Sequence, residues 1–361
     1  MSRVYNFYAG PSTLPEPVLE EIQKNIVDYH GEGLSLIETS HRSPMYDEVH
    51  SKAIALLREL LEIPQDYSVI FLGGGATLQF SMVPYNFLRP GGSCDMVVSG
   101  SWAKKAQADA KLFGTVNVVY DGSKSGFTAL PDPAEVQTTD GAKYLHITSN
   151  ETIGGLQWKD FPKTGSVPVV ADMSSDIAGR RINVSDFGLI YAGAQKNIGP
   201  AGVTVVIIHK DMLDRVPEDS AAYLNYKIHA EKNSLYNTPP VFSIYGMSLT
   251  LDWVKSQGGV KGMEERNQAK AKLIYDAIEG SEGFYRCPVD EDARSIMNVV
   301  FRLPTEELEA TFIGEAKQQG MIGLKGHRSV GGCRASLYNA MPLEGAEALA
   351  GFMKDFQKKY A

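Results

Sequence analysis

Short apolar runs recur between residues 68 and 208 of this 361-residue chain, and their spacing restricts the fold to a few classes. The runs of strand length lie at residues 68–72, 95–98, 116–120, 144–147, 167–171, 189–191 and 203–208. Segments of helix or long-loop length separate most of them, which is typical of a mostly parallel sheet covered on both faces. The first six predicted strands can all be parallel. The seventh follows its predecessor too closely for a helical crossover, so we expect it to be antiparallel to that strand or to lie elsewhere in the sheet.

The pattern changes after about residue 241. The predicted elements beyond that point are helices at 244–255 and 263–278, followed by strand, helix, strand and helix at 297–303, 305–319, 334–338 and 343–358. Gln257-Gly258-Gly259, between the first two helices, is interpreted as a domain hinge. The sequence therefore predicts an α/β fold, with a mostly parallel seven-stranded sheet in a large domain and a smaller α+β domain at the C-terminal end.

Charge and cysteine content argue against several classes of function. The net charge is −8 and no long basic run offsets it, which argues against a nucleic-acid binder but not against a small anionic substrate. The cysteines, Cys94, Cys287 and Cys333, are too widely spaced for a disulfide framework or a zinc site, so we expect no metal. No apolar run reaches membrane-spanning or signal-peptide length, and we expect a cytoplasmic protein without membrane contact.

Residues 191–200 (YAGAQKNIGP) place Lys196 in a glycine-framed turn between two predicted buried strands. A lysine at the end of a buried strand can lose part of its affinity for a proton and act as an amine nucleophile, as a Schiff base requires. A lysine can also extend from a strand end to solvent along its aliphatic stem. The segment by itself favours neither interpretation.

Further strand ends carry groups that fit the same chemistry. Gly73-Gly74-Gly75-Ala76-Thr77 follows the first predicted strand and opens a helix, whose N-terminus favours a phosphate. Asp172 follows the fifth strand and is expected at the same sheet edge as Lys196, where α/β proteins bind ligands. An amine, a carboxylate and a phosphate cradle are what pyridoxal 5′-phosphate (PLP) needs, and Trp102 could stack on its ring. The structural alternatives are a tight turn, a helix cap and a core tryptophan.

Cationic side chains cluster in two polar or glycine-rich loops. His41 and Arg42 lie in the first, and the second, residues 326–334 (GHRSVGGCR), contains His327, Arg328 and Arg334. Arginine binds carboxylates and phosphates through paired hydrogen bonds. In an acidic protein, arginines in such loops favour an acidic ligand, while a surface ion pair is the alternative for each residue taken alone.

These motifs resemble the phosphoserine aminotransferase family, class-V aminotransferases of PLP fold type I. The segments that carry the resemblance are 192–200, Ser40-His41-Arg42, Asn150-Glu151-Thr152, Tyr236-Asn237-Thr238-Pro239-Pro240 and Gly326-His327-Arg328 through Arg334-Ala335-Ser336. The similarity covers essentially the whole chain. It implies an aspartate-aminotransferase-like fold with a large PLP-binding domain at 16–257 and a small domain made of 1–15 and 258–361. It also implies a homodimer with shared active sites.

The resemblance gives each motif a role. Lys196 would hold the cofactor as a Schiff base and move the proton between the substrate α-carbon and C4′, and Asp172 would pair with the pyridine nitrogen. The implied cofactor contacts are stacking by Trp102, a hydrogen bond from Thr152 to the ring hydroxyl, and phosphate binding by Ala76, Thr77, Gln195 and, from the partner subunit, Asn237 and Thr238. The implied substrate contacts are Arg334 for the α-carboxylate, and His41 and Arg42 with His327 and Arg328 of the partner subunit for the distal phosphate or carboxylate.

The implied reaction is reversible transfer of the amino group of L-glutamate to 3-phosphohydroxypyruvate, giving O-phospho-L-serine and 2-oxoglutarate in L-serine biosynthesis. Some relatives also accept 3-hydroxy-2-oxo-4-phosphooxybutanoate in the pyridoxine route. The chain departs from some relatives at Ala9, where they carry serine, and at Ala76-Thr77, where they carry an arginine. Phosphate binding would then depend more on Arg42, His327 and Arg328.

Three other functions fit the sequence less well. Aminotransferases of small substrates, such as alanine–glyoxylate aminotransferase, need no distal cluster of cations, yet this chain has one. A cysteine desulfurase needs a catalytic cysteine on a mobile loop, and Cys333, beside Arg334, is poorly suited to that role. A non-catalytic PLP-binding protein would be expected to lack the lysine, the aspartate or the arginine, and all are present.

Overall fold

The computed structural model describes residues 3–89 and 91–361 of the chain. Its strands are β1 (Tyr5–Asn6), β2 (Tyr67–Leu72), β3 (Ser93–Val98), β4 (Thr115–Asp121), β5 (Leu145–Thr148), β6 (Asn150–Glu151), β7 (Leu156–Gln157), β8 (Val169–Asp172), β9 (Leu189–Gly193), β10 (Thr204–His209), β11 (Asn298–Phe301), β12 (Met321–Ile322) and β13 (Cys333–Ser336). Its helices are α1 (Glu16–Asn25), α2 (Pro44–Leu60), α3 (Gly75–Phe87), α4 (Ser101–Ala110), α5 (Lys210–Leu213), α6 (Tyr226–Glu231), α7 (Val241–Ser256), α8 (Gly259–Glu279), α9 (Glu306–Gln318) and α10 (Leu343–Tyr360). The strands and helices named above as predictions are all found, with bounds that differ by a few residues. Among the described helices, none is both long enough and apolar enough to cross a membrane.

The seven strands predicted between residues 68 and 208 form one sheet in the order β2-β10-β9-β8-β5-β3-β4. Neighbouring strands in it are parallel, except that β10 is antiparallel to both β2 and β9. Of the two arrangements expected for the seventh strand, the structure shows the first, in which it pairs antiparallel with its predecessor. Because β10 turns back directly after β9, Thr204 lies opposite Gly193 and the turn that contains Lys196 stays at this edge of the sheet.

Helices cover both faces of this sheet, and each face has its own hydrophobic core. Side chains alternate between the faces along β10, so that Val205 and Ile207 belong to one core and Val206 and Ile208 to the other. The first core includes buried residues of α2 and α7, and the second includes those of α3 and α4. Burial on both faces explains why most of these strands have continuous rather than alternating apolar sequences; the edge strand β4, which is partly exposed, is the exception.

A further core is built from α8, α9, α10, β11 and β13, with a contribution from the N-terminal segment. Phe7 is fully buried in it, and β1 pairs with β12. The start of the chain is thus packed with its C-terminal part. These contacts favour the predicted division into residues 16–257 and residues 1–15 with 258–361, which we retain as a proposal.

Candidate active site

The segments that the sequence marks as functional meet at one edge of the seven-stranded sheet. Because β2, β3, β8 and β9 run in the same direction, their carboxyl ends lie at this edge. Helix α3 begins shortly after β2, and α4 begins shortly after β3. The carboxyl edge of parallel strands is where α/β proteins bind ligands, so this edge is the candidate site.

Lys196 is half-buried, and its amine contacts residues of the site rather than extending into solvent. Nζ donates a hydrogen bond to Thr152 Oγ1 over 2.6 Å and lies 5.2 Å from the centre of the Trp102 ring. Burial lowers the pKa of Lys196 to about 8, an effect that the charge of Asp172 opposes and that of Arg334 reinforces. A larger share of this amine is therefore unprotonated near neutral pH than in an ordinary lysine. The geometry favours a nucleophile.

Asp172 is the last residue of β8, and it is 5% exposed. Its Oδ1 accepts a hydrogen bond from the backbone N–H of Ser174 over 2.9 Å. Burial raises the pKa of the Asp172 carboxyl, whereas the hydrogen bonds from Ser174 and the charge of Lys196 lower it. Residues 174–179 form turns, so Asp172 caps no helix there. The structure leaves it as a buried acid beside a buried amine.

The first turn of α3 offers backbone N–H groups that no side chain caps. Gly74 precedes the helix with a φ of 84°, and as a glycine it provides no capping side chain. A Cβ at Gly74 would lie 2.6 Å from Leu78 Cβ, so the turn requires glycine at this position. Ala76 is half-buried and Thr77 is exposed in the first turn. Such a helix start suits a phosphate group.

Trp102 lies in the first turn of α4, half-buried, with its indole face towards cationic groups. The amines of Lys105 and Lys196 lie 4.2 Å and 5.2 Å from its ring centre. Its Nε1 is buried and has no hydrogen-bond partner among the described residues. The ring is therefore placed next to the candidate nucleophile, where an aromatic cofactor could stack on it.

Thr152 connects the lysine to an arginine of the C-terminal core. Arg334, on β13, donates from one guanidinium nitrogen to the carbonyl oxygen of Thr152 over 3.2 Å. Arg334 is 9% exposed, and its Nε has no partner within residues 3–89 and 91–361. Burial lowers the pKa of Arg334, although a guanidinium stays charged at physiological pH. A buried guanidinium with a free N–H fits an incoming carboxylate.

Arg334 is the last residue of the loop of residues 326–334, which is called the distal-cation loop below, and His327 near the start of this loop lies close to it. The pKa of His327 is lowered by burial and by the nearby charges of Arg334, Arg328 and Lys105. Its Nδ1 shares a hydrogen bond of 2.7 Å with Ser329 Oγ, and Arg328 is exposed. The structure therefore brings His327 close to the candidate site of its own chain, whereas the resemblance implies that His327 and Arg328 come from the partner subunit.

Other predicted site residues have no hydrogen bond or ion pair with Lys196 among the described residues. Arg42 is exposed, and His41 is half-buried with an Nε2 that no described residue pairs. Asn237 and Thr238 are exposed, and Asn237 donates to the carbonyl oxygen of Thr238 over 3.0 Å. The predicted roles of these four residues therefore stay predictions.

Sequence reasoning missed several contacts of the site. The backbone N–H of Ser12 donates to the carbonyl oxygen of Gln195 over 3.0 Å, and its hydroxyl donates to that of Lys196. Gly10 lies against Lys196, where a Cβ would come within 3.1 Å of Cγ. Lys105 and the buried Glu151 were also missed. No local pattern signals such contacts, because they join residues far apart in the chain.

Cys333 is unsuited to act as a nucleophile. It lies on β13, is 1% exposed, and burial raises the pKa of its thiol strongly. Reactive cysteines need a thiolate and access for the reactant. The geometry at this position therefore gives no support to a desulfurase mechanism.

Comparison with known proteins agrees with this geometry. Residues 4–349 match the family model of aminotransferase class-V. The chain belongs to this family. It is 54% identical over 358 residues to the phosphoserine aminotransferase of Lysinibacillus sphaericus (strain C3-41), covering 99% of both chains.

Solved structures of phosphoserine aminotransferases are similar along nearly the whole chain. The protein from Bacillus circulans subsp. alkalophilus is 51% identical with a TM-score of 0.98, covering 99% of both chains. The PLP-bound protein from Trichomonas vaginalis is 36% identical with a TM-score of 0.89, covering 98% of this chain and 100% of that chain. The predicted resemblance and the predicted fold class are confirmed.

The residues at the sheet edge fit PLP, the cofactor of this family. The Lys196 amine suits an aldehyde, and the buried Asp172 carboxylate suits a protonated ring nitrogen. The uncapped first turn of α3 suits the phosphate, and the Trp102 ring suits stacking. All four lie at the carboxyl edge of the same sheet, as one cofactor molecule requires.

Proposed function

We propose that the chain catalyses the reversible transfer of an amino group from L-glutamate to 3-phosphohydroxypyruvate, giving O-phospho-L-serine and 2-oxoglutarate in L-serine biosynthesis. The observation that carries the proposal is the Lys196 amine, which Thr152 holds and whose pKa responds to both Asp172 and Arg334. This arrangement combines a nucleophile, an acid partner and an anion receptor. Relatives named phosphoserine aminotransferase match the whole chain at up to 54% identity.

Lys196 and Asp172 are the proposed catalytic residues. When bound, PLP supplies an electron-accepting ring that stabilises negative charge at the substrate α-carbon. Lys196 would hold the cofactor, and its amine, whose pKa burial lowers to about 8, would move the proton at the α-carbon. Thr152 orients that amine and would donate to the cofactor hydroxyl. The Asp172 carboxylate would hold a proton on the ring nitrogen.

The cofactor phosphate is assigned to the start of α3 and its surroundings. Backbone and side-chain donors of Ala76 and Thr77 would hold it, together with Gln195, which follows β9. Asn237 and Thr238 of the partner subunit complete the set. Their exposure in the single chain agrees with a position at a subunit interface. Trp102 stacks on the cofactor ring.

The substrate is held at both ends by cations. Arg334 binds the α-carboxylate, since its guanidinium is buried and has a free N–H. His327 and Arg328, in the loop that ends at Arg334 of the same chain, would bind the distal phosphate or the side-chain carboxylate of glutamate, together with His41 and Arg42 of the partner subunit. One cation cluster must serve both anions, which explains how two different substrates use one site.

The active enzyme is proposed to be a cytoplasmic homodimer with shared active sites. Support comes from the exposure of Arg42, Asn237 and Thr238 in the single chain, which agrees with a position at a subunit interface. Activity on 3-hydroxy-2-oxo-4-phosphooxybutanoate is also proposed, because the distal cations contact only the phosphate. The absence of an arginine at Ala76-Thr77 makes these cations more important.

Direct assay of the purified protein tests the reaction. With L-glutamate and 3-phosphohydroxypyruvate, we expect phosphoserine to form, and with L-alanine and glyoxylate we expect little turnover. Turnover of the second pair without the first would overturn the assignment. Borohydride reduction followed by mass spectrometry should place the cofactor on Lys196. The Lys196→Ala variant should show no cofactor adduct after borohydride reduction, whereas Lys143→Ala, at an exposed position, should show the same adduct as the wild type.

A further inference from the structure

Glu151 is a second buried carboxyl near Lys196, and the roles above leave it without a function. It belongs to β6, and it is 1% exposed. Its carboxylate accepts hydrogen bonds from the backbone N–H groups of Trp102 (3.2 Å) and Ala103 (3.1 Å) and from Ser99 Oγ (3.3 Å). Three donors around one carboxylate form a built site for a negative charge.

These bonds cap the helix that carries Trp102. The residue before α4 is Gly100, which has no side chain to accept the first N–H groups of the helix. Glu151 supplies that acceptor from another strand, and its negative charge lies at the favourable end of the helix dipole. A Cβ at Gly100 would collide with the Glu151 carboxyl group and displace it, so this cap depends on glycine at position 100. The glycine therefore leaves the space that the capping carboxylate occupies.

The next residue in the chain, Thr152, holds the nucleophile. Lys196 Nζ donates to Thr152 Oγ1 over 2.6 Å, and Trp102 lies 5.2 Å from the same amine. Glu151 thus connects the two groups that flank the Lys196 amine. Through its backbone it is joined to Thr152, and through its carboxylate it fixes the start of the helix that carries Trp102.

Glu151 also contributes charge to the site. The charged groups that influence Lys196 are Asp172, Asp176 and Glu151, which raise its pKa, and Arg334, which lowers it. Burial raises the pKa of Glu151 to about 7, while its backbone hydrogen bonds lower it and Asp172 raises it further. The three hydrogen bonds to its carboxylate favour the ionised form of Glu151.

We propose that Glu151 is a positioning residue, which fixes Trp102 for stacking on the cofactor and holds a buried negative charge in the surroundings of Lys196. This proposal rests on the proposed PLP chemistry of the site. It is independent of which amino acid is the substrate, so a wrong substrate assignment would leave it intact. Glu151 touches neither substrate nor cofactor in this assignment, and acts only through Trp102, Thr152 and Lys196.

The Glu151→Gln variant tests both the positioning of Trp102 and the effect of the negative charge. Glutamine has the same shape as glutamate but no charge, and its NH₂ group would face one of the two backbone N–H groups that now donate to the carboxylate. Competitive labelling of the cofactor-free chain, read by mass spectrometry, should show the pKa of Lys196 lowered by about 0.5–1 unit. The dissociation constant for PLP should rise about 5- to 10-fold, as expected for a lost helix cap. In the holoenzyme, the pH midpoint of the cofactor absorbance should shift.

A matched control is Thr305→Ala, which removes the cap of α9, where Thr305 Oγ1 accepts from the N–H of Leu308 over 3.2 Å. This variant should lose stability and leave the titration of Lys196 unchanged. Glu151→Asp should restore the titration, since it keeps the charge, but not the cofactor affinity, since it is too short for both N–H groups.

The proposal is overturned if the pKa of Lys196 in Glu151→Gln equals that in the wild type. It is also overturned if Thr305→Ala shifts the pKa of Lys196 by the same amount. Should Glu151→Gln fail to fold, Ser99→Ala provides a second route. It removes one donor to the carboxylate, so Glu151 should be more protonated at a given pH. The pKa of Lys196 should then move in the same direction by a smaller amount, and an unchanged value would refute the charge role.

Discussion

Replacing Lys196 by methionine is expected to stabilise the cofactor-free chain at neutral pH. Methionine has a similar length and no charge. In the folded wild type, burial lowers the pKa of Lys196 from 10.5 to about 8. The unfolded chain therefore binds this proton more tightly than the folded chain, and the ionised amine destabilises the native state. The burial that makes the lysine reactive therefore also lowers the free energy of unfolding.

The size of the effect follows from the two pKa values. Their difference of about 2.5 units corresponds to about 3 kcal/mol, at 1.36 kcal/mol per unit. The destabilisation is complete below about pH 8 and declines as the pH rises towards 10.5, leaving about 1 kcal/mol at pH 10. Loss of the hydrogen bond to Thr152 subtracts about 1 kcal/mol at every pH. The advantage of the variant should thus fall by about 2 kcal/mol between pH 7 and pH 10.

Urea unfolding of both cofactor-free proteins at pH 7, 8.5 and 10, at one protein concentration, measures this difference. The matched control is Lys143→Met, at an exposed position, which should show no such pH dependence. A difference between Lys196→Met and wild type that stays constant with pH would refute the reasoning. So would an equal pH dependence in the control, since it would arise from the loss of any lysine.

Three substitutions test other groups. Asp172→Asn should lower kcat at least about 100-fold while cofactor absorbance shows that PLP is retained, because an amide does not keep the ring nitrogen protonated; near-normal kcat would contradict the role. Arg334→Lys should raise the KM of both L-glutamate and phosphoserine about 10-fold, because an ammonium cannot form paired bonds to a carboxylate; an unchanged KM would exclude it. Arg302 donates to Val330 O over 2.6 Å and to Glu309 over 3.2 Å. Because these bonds hold the distal-cation loop, Arg302→Met should speed hydrogen exchange in that loop and raise the KM of phosphoserine about 5-fold with kcat little changed. Unchanged exchange would refute the idea that Arg302 holds the loop in place.

The sheet was predictable because its two faces are both buried. Burial on both sides removes the polar alternation, so each strand appears as a continuous apolar run whose length alone separates it from a helix. The direction of β10 was predictable from the short connection after β9. Element ends were less predictable, since caps and turns decide them. The start of α8 at Gly259, for example, lies four residues before its predicted start.

The candidate site was predictable where one short segment carries a chemical requirement. Lys196, Asp172 and the Gly73–Gly75 turn each follow a strand, and parallel strands bring their ends to one edge. Contacts such as those of Ser12 and Glu151 were not predictable in this way. Each depends on the packing of segments that are distant in sequence, and a single serine or glutamate carries no signal of its own.

The buried charges of the site explain why its position was visible at all. Burial lowers the pKa of Lys196 and of Arg334, and it raises the pKa of Asp172 and of Glu151. Apolar residues would stabilise such a position better, since paired charges repay their loss of hydration only in part. The same shifts bring the amine and the carboxyls towards neutrality, where protons move readily. Polar residues at the ends of apolar strands therefore mark the active site, because at these positions they lower the stability of the fold and are retained for proton transfer.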